Sequence, residues 1–189
     1  AQPSVKASQG GTLPMTRFVR AMKVRAAAAG LTEAVNLAFA NDEQHRKTRV
    51  PTDAVRLANP ISEERNVMRT SLLPGLAANL LRAQRHQVES CTLFELARTF
   101  APTNDVLPEE TRRFAFILWG ARAGWVGDTG SLDFYDGKGF LEAVLKPLTR
   151  LSAETVVDGS LAAKHPFLHP RRSAAVELGG ERVGLLGEL

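Results

Sequence analysis

Two apolar runs near one end of the chain, Ser173–Leu178 and Arg182–Leu186, are separated by little more than Gly179-Gly180. Paired glycines between such runs predict a β-hairpin, because tight hairpin turns need positive φ and glycine adopts it without steric cost. Part of the chain is thereby committed to antiparallel pairing. Thr92–Phe100 reads as a second strand region, with Phe94, Leu96 and Phe100 on one side. Phe114–Trp119 is a near-continuous apolar run, expected to be a strand buried on both faces. Val35, Leu37 and Phe39 alternate with Ala34, Asn36 and Ala38, which predicts a half-buried strand. Ala54–Ala58 and Thr155–Val157 are shorter strand candidates.

Helical periodicity occupies the segments between. Pro14 opens a series, Met15, Phe18, Val19, Met22 and Ala26, that falls on one helical face, and Gly30 closes it. Asn41-Asp42 starts a polar stretch to about Arg49, read as a short helix. Ser71 is placed to cap a helix running to Gln87, with Leu73, Leu76, Ala77, Leu80 and Leu81 as a wide apolar stripe. Asp133–Leu148 carries Phe134, Leu141, Val144, Leu145 and Leu148 at helical spacing. Ile61–Thr70 is polar and shows no clear period. The order is helix, two strands, helix, two strands, helix, three strands. It predicts an α+β domain, an antiparallel β-sheet flanked by helices.

The 189 residues suit one domain with a real core. Residues 1–12, rich in Gly, Ser, Gln and Pro, read as a linker or arm, which leaves 13–189 as the domain. The chain lacks an initiating Met and stops at Gly187-Glu188-Leu189 in mid-pattern, as expected of a piece cut from a longer protein. No apolar run reaches the ~18 residues of a membrane span, and the start carries no signal pattern. Cys91 is the only cysteine, so no internal disulfide forms; this points to a reducing compartment. The formal charge of +4, from 24 basic and 20 acidic residues, permits contact with RNA without demanding it.

A search for self-sufficient chemistry finds little. His165 and His169 are four apart, but Pro166 and Pro170 argue against the helix that would align them on a metal. Cys91 and His86 are five apart and poorly aligned for nucleophile and base, so a buried thiol is the simpler reading. Gly10-Gly11-Thr12 and Gly179-Gly180 lack a phosphate-loop lysine and dinucleotide spacing. Asp136-Gly137-Lys138-Gly139 allows two readings, a phosphate contact at a helix start or a helix packed closely on the sheet; packing is preferred. Glu63-Glu64 and Glu109-Glu110 are pairs in polar segments, and Asp133 and Asp136 suit a helix N-terminus. Arg65, Arg69, Arg82, Arg85 and His86 could line one basic surface able to contact tRNA, although stacking aromatics are missing there.

Five blocks, in order, carry a family resemblance. The stretch Asn59-Pro-Ile-Ser-Glu-Glu-Arg-Asn-Val-Met-Arg-Thr-Ser-Leu-Leu-Pro-Gly-Leu76 resembles the loop-and-helix block of the bacterial phenylalanyl-tRNA synthetase β subunit. Leu93-Phe-Glu-Leu-Ala-Arg-Thr-Phe100 is similar to that family's next strand, and Leu132-Asp-Phe-Tyr-Asp-Gly-Lys-Gly139 to its helix-start motif. His169-Pro-Arg-Arg-Ser-Ala174 and Gly184-Leu-Leu-Gly-Glu-Leu189 complete the series. Gly30-Leu-Thr-Glu-Ala34 also fits, with Leu31 in place of the usual aromatic.

The resemblance implies a class II synthetase-like fold in a subunit that is catalytically silent. It implies a cytoplasmic α2β2 heterotetramer that joins phenylalanine to tRNA(Phe) with ATP and magnesium, the α subunit carrying the active site. The β module is then expected to pack against α through the helices Pro14–Ala29 and Ser71–Gln87. Active class II relatives place an ATP-binding arginine directly after the phenylalanine of a strand motif. Here Phe94 is followed by Glu95, with Arg98 three residues further on. A carboxylate at that place repels phosphate. Gly184-Leu-Leu-Gly187 is similar to the strand of the second nucleotide-binding arginine, but no helix follows it. Accordingly no catalytic, cofactor-binding or metal-ligating residue is expected in this chain.

Overall fold

In a computed structural model the described residues are 11–122, 130–149 and 151–189. Helix α1, Pro14–Ala28, starts with proline in its first turn, where the missing N–H had no partner to lose. It leads through Gly30 into a two-residue strand β1, Thr32–Glu33. β1 runs parallel to β4, Ser90–Ala101, which pairs antiparallel along its whole length with β5, Glu109–Gly120. The sheet order is β1-β4-β5.

Strand residues alternate between the two faces of a sheet. Phe94 and Leu96 of β4 point into the main core with Met22 and Ala26 of α1, Leu31, and Val144 of helix α4 (Phe134–Leu145). The intervening Glu95 belongs to the other face. Helix α3, Leu73–Arg85, packs there, with Leu76 wholly buried.

Between β1 and α3 lies a small lobe. β2, Phe39–Ala40, pairs antiparallel with β3, Val67–Met68. Helix α2, Asp42–Lys47, begins with a capping box in which the Asn41 side chain accepts from the Gln44 N–H and the Gln44 side chain accepts from the Asn41 N–H. A 3₁₀ turn, Glu63–Arg65, precedes β3.

The last third forms a separate antiparallel sheet, β6 (Ala153–Val156), β7 (Ser173–Leu178) and β8 (Glu181–Gly187). Leu141 of α4 meets Val176 and Leu186 on one face, while Leu161 of the short helix α5, Leu161–Lys164, meets Ala175 on the other. The hairpin turn is made as expected by Gly179 and Gly180, at φ +59° and +86°.

Three expectations need correction. Residues 34–39 are not a half-buried strand: Val35 and Leu37 are 87% and 53% exposed. Their alternation is real, but the apolar side chains point outward, because the inward places are taken by Asn36 and Ala38. Ala54–Ala58 forms no strand, only a single bridge between Arg56 and Val67. Phe114–Trp119 does lie in β5, yet only Ile117 in it is fully buried. The arm expected over residues 1–12 falls largely outside the described residues, as does most of Gly120–Gly130, a stretch that reads in the sequence as a loop.

Candidate functional site

Glu95 sits in the middle of β4 and is 2% exposed. A buried carboxylate is tolerated only when charge and hydrogen bonds compensate it. Arg69, immediately after β3 and 7% exposed, provides the charge: its Nη1 donates to Glu95 Oε1 at 2.7 Å. Asn36 donates through Nδ2 to Oε2 at 2.8 Å and through its backbone N–H to Oε1 at 3.3 Å. Asn36 Oδ1 in turn accepts from Asn79 Nδ2 of α3 at 2.9 Å. Arg69 Nε is spent on the Arg98 carbonyl at 2.9 Å.

The network therefore ties together the segment after β1, the segment after β3, β4 and α3. Its close approach depends on Gly75, where a Cβ would lie 3.0 to 3.2 Å from Asn36 side-chain atoms. Chemically the cluster is a clamp. Both carboxylate oxygens are occupied by donors, two on Oε1 and one on Oε2, which fills three of about four acceptor positions.

The sequence singles out Glu95 but not its partners. Arg69 does not belong to the basic surface expected of it and is instead buried; Arg65, Arg82, Arg85 and His86 are exposed. The one local signal for Arg69 is a lone charge just after the apolar pair Val67-Met68. Arg98 points outward and forms an ion pair with Glu110 across the β4–β5 hairpin.

Beside the clamp opens a cleft of about 630 Å³, between residues 35–41 and α3, with the 3₁₀ turn at its rim. Past the two residues of β1 the chain runs on without regular structure through 34–37 and bends at Ala38. The even residues face inward: Ala34 N–H donates to the Phe94 carbonyl at 2.7 Å, Asn36 N–H to Glu95, and the Ala38 carbonyl accepts from Arg69 N–H at 2.9 Å. The Val35 and Leu37 side chains face solvent, and their N–H groups have no acceptor among the described residues, while the Leu37 carbonyl accepts from Arg69 Nη1 at 3.5 Å.

The remaining candidates resolve as structure. Cys91 is buried, and burial pushes its thiol pKa up, away from a reactive thiolate. His86 ends α3 as its exposed C-cap. His169 Nδ1 accepts from the Arg171 N–H at 3.2 Å, and His165 leans on the Phe167 ring, both beyond the end of α5. Asp133 caps α4. Asp136 takes two bonds from Arg122, at 3.0 and 2.8 Å, and these chiefly hold its carboxyl below the usual range. Gly137 lies against the second sheet, where a Cβ would come within 3.2 Å of Leu186, while Lys138 reaches toward Glu142 at 3.8 Å. Glu63 and Glu64 stand exposed in the 3₁₀ turn, and Glu109 is exposed at the start of β5. Asp158 is drawn to about 2 by the Ser160 hydroxyl and N–H and then by Arg182, which fixes the turn into α5. Among the described residues no cluster of His, Cys, Asp or Glu is suited to a metal ion, and no helix is long and apolar enough to cross a membrane.

An antiparallel β4–β5 hairpin backed by α1 and α4 is the scaffold of a class II synthetase-like domain. A pyrrolysyl tRNA synthetase from Desulfitobacterium hafniense superposes with a TM-score of 0.59 over 89% of this chain and 54% of that one, at 10% identity, a likeness of fold alone. The sequence says more. All of residues 1–189 match the family described as phenylalanyl tRNA synthetase beta chain CLM domain, and the chain belongs to that family. The phenylalanine–tRNA ligase beta subunit of Moorella thermoacetica is 36% identical over 182 residues, 93% of this chain and 22% of that protein. Those of Aromatoleum aromaticum and Anaeromyxobacter dehalogenans are 37% and 38% identical, over 86% and 85% of this chain and 20% and 21% of theirs. The chain thus spans about a fifth of the relatives it matches.

Proposed function

We propose that residues 13–189 are the synthetase-like core of the β subunit of a phenylalanine–tRNA ligase, and that their task is assembly with the catalytic α subunit. The holoenzyme in this reading is a cytoplasmic α2β2 tetramer that charges tRNA(Phe) using ATP and magnesium. Neither ATP nor magnesium is held by this chain: a carboxylate clamped by Arg69 and Asn36 stands where active relatives keep an arginine.

Two observations carry the reading: apolar side chains left exposed on α1, and the exposed apolar segment at Val35 and Leu37. The stripe of α1 is split: Met22 and Ala26 are buried, whereas Phe18 and Met15, one and two turns before Met22 on the same face, are 46% and 57% exposed. The open edge at Val35 and Leu37 adds main-chain donors. An exposed hydrophobic edge of this kind is a pairing site for another chain. Helix α3 contributes less than its sequence promises. Its stripe is spent on its own sheet, and Leu81 is the one large apolar side chain it exposes.

The test is competition. Wild-type and Phe18→Glu/Leu37→Glu full-length β, differently tagged, are co-expressed with limiting α. The variant is expected to be under-represented in the complex at least tenfold. Equal incorporation would remove the assembly reading.

A further inference from the structure

The free edge does not end at the sheet. Val35, Leu37 and Phe39 also line the cleft of about 630 Å³ beside the clamp, so anything laid along the edge is led into it. Four cations line that cleft. Arg69 is neutralised by Glu95 at 2.7 Å and Lys47 by Glu43 at 2.7 Å. Arg65 on the 3₁₀ turn and Arg82 on α3 form no ion pair among the described residues. Against them stands a single unpaired lining carboxylate, Glu64, which leaves the cleft one positive charge in excess.

We propose that the cleft receives an acidic, extended peptide segment of the partner α chain. The segment pairs with the backbone at Val35 and Leu37, then seats a carboxylate between Arg65 and Arg82. The proposal rests on the assembly reading and names what that partner must bring. Arginine suits the role because its planar fork meets a carboxylate with two parallel hydrogen bonds. Alternate apolar side chains along an open edge match the alternate side chains of an incoming strand. A nucleic-acid backbone fits less well. The lining is apolar on the Val35–Phe39 side, Glu43 and Glu64 stand against a run of phosphates, and Phe39 is the only aromatic ring in the lining.

The experiment uses full-length β with α. Arg65→Glu/Arg82→Glu, Arg65→Gln/Arg82→Gln and Leu37→Pro are each competed against wild-type β for limiting α at low and high salt, with tRNA binding by the complexes measured alongside. The charge reversal is expected to lower incorporation about tenfold or more at low salt, the neutral pair less, and both deficits to shrink as salt rises. Both arginines are exposed, so unchanged melting temperatures will separate this from misfolding. The proposal is overturned if the reversed variant assembles like wild type, or if its assembly is normal while tRNA affinity falls. Should Leu37→Pro also assemble normally, the assembly reading fails as well; should Leu37→Pro alone be impaired, only the cleft's acidic occupant is lost.

Discussion

Arg69 and Glu95 show how much of this molecule is decided by single side chains. Removing one member of a buried ion pair strands the other in a poor solvent, which costs about 3–5 kcal/mol, whereas replacing both with apolar residues is often neutral. Arg69→Met should therefore lower the free energy of unfolding by about that amount, and Arg69→Met/Glu95→Leu should recover most of it; urea titrations of the three proteins decide the matter. His45 is the opposite case, a wholly buried imidazole whose two nitrogens have no hydrogen-bond partner among the described residues. Burial lowers its pKa, with Asp42 pulling weakly the other way. Between the folded and unfolded values the unfolded chain binds more protons, so stability is complete above about pH 6.5 and is lost as the pH falls below it. The urea midpoint should drop between pH 7.5 and 5.5, and His45→Leu should flatten that drop. None of this pairing can be read in the sequence. Glu95 finds its partners 26 and 59 residues away, and no local pattern links Asn36, Arg69 and Glu95.

Elements are far more legible, for a physical reason. α1, α3 and α4 each bury a stripe at helical spacing, and the β7–β8 turn needs residues that accept positive φ, so local sequence carries the information. The segment 34–39 misleads because period-two alternation says only that a backbone is extended. It does not say which set faces the core, and here Asn36 wins the inner place through Glu95. α4 offers a paired test of close packing. Gly137→Leu pushes side-chain atoms into Leu186, Leu118 and Phe116 and should cost about 1–3 kcal/mol. Gly139, two residues on, has open space where a Cβ would go, with nothing within 4 Å, so Gly139→Ala should stabilise by about 0.5–1 kcal/mol through helix propensity alone. Thermal melts of both variants check the contrast.

For the whole molecule, the clamp and the surface point the same way. On the proposed reading Glu95 stands where an arginine would hold a nucleotide phosphate, so titrating millimolar ATP into this chain should give no binding heat in calorimetry. What remains available is a set of exposed apolar side chains on α1 and the segment at Val35 and Leu37, whose N–H groups have no acceptor among the described residues. Five ordered blocks announce the family in the sequence, but nothing there announces this face, because exposure is a property of the assembled fold.

The N–H groups of Val35 and Leu37, without an acceptor among the described residues, bear on how such a chain is made. An uncovered edge recruits any other uncovered edge, including its twin on a neighbouring copy. On the assembly reading, copies that outnumber the α subunit would stack on one another through residues 35–37, and making the two in matched amounts would avoid that loss.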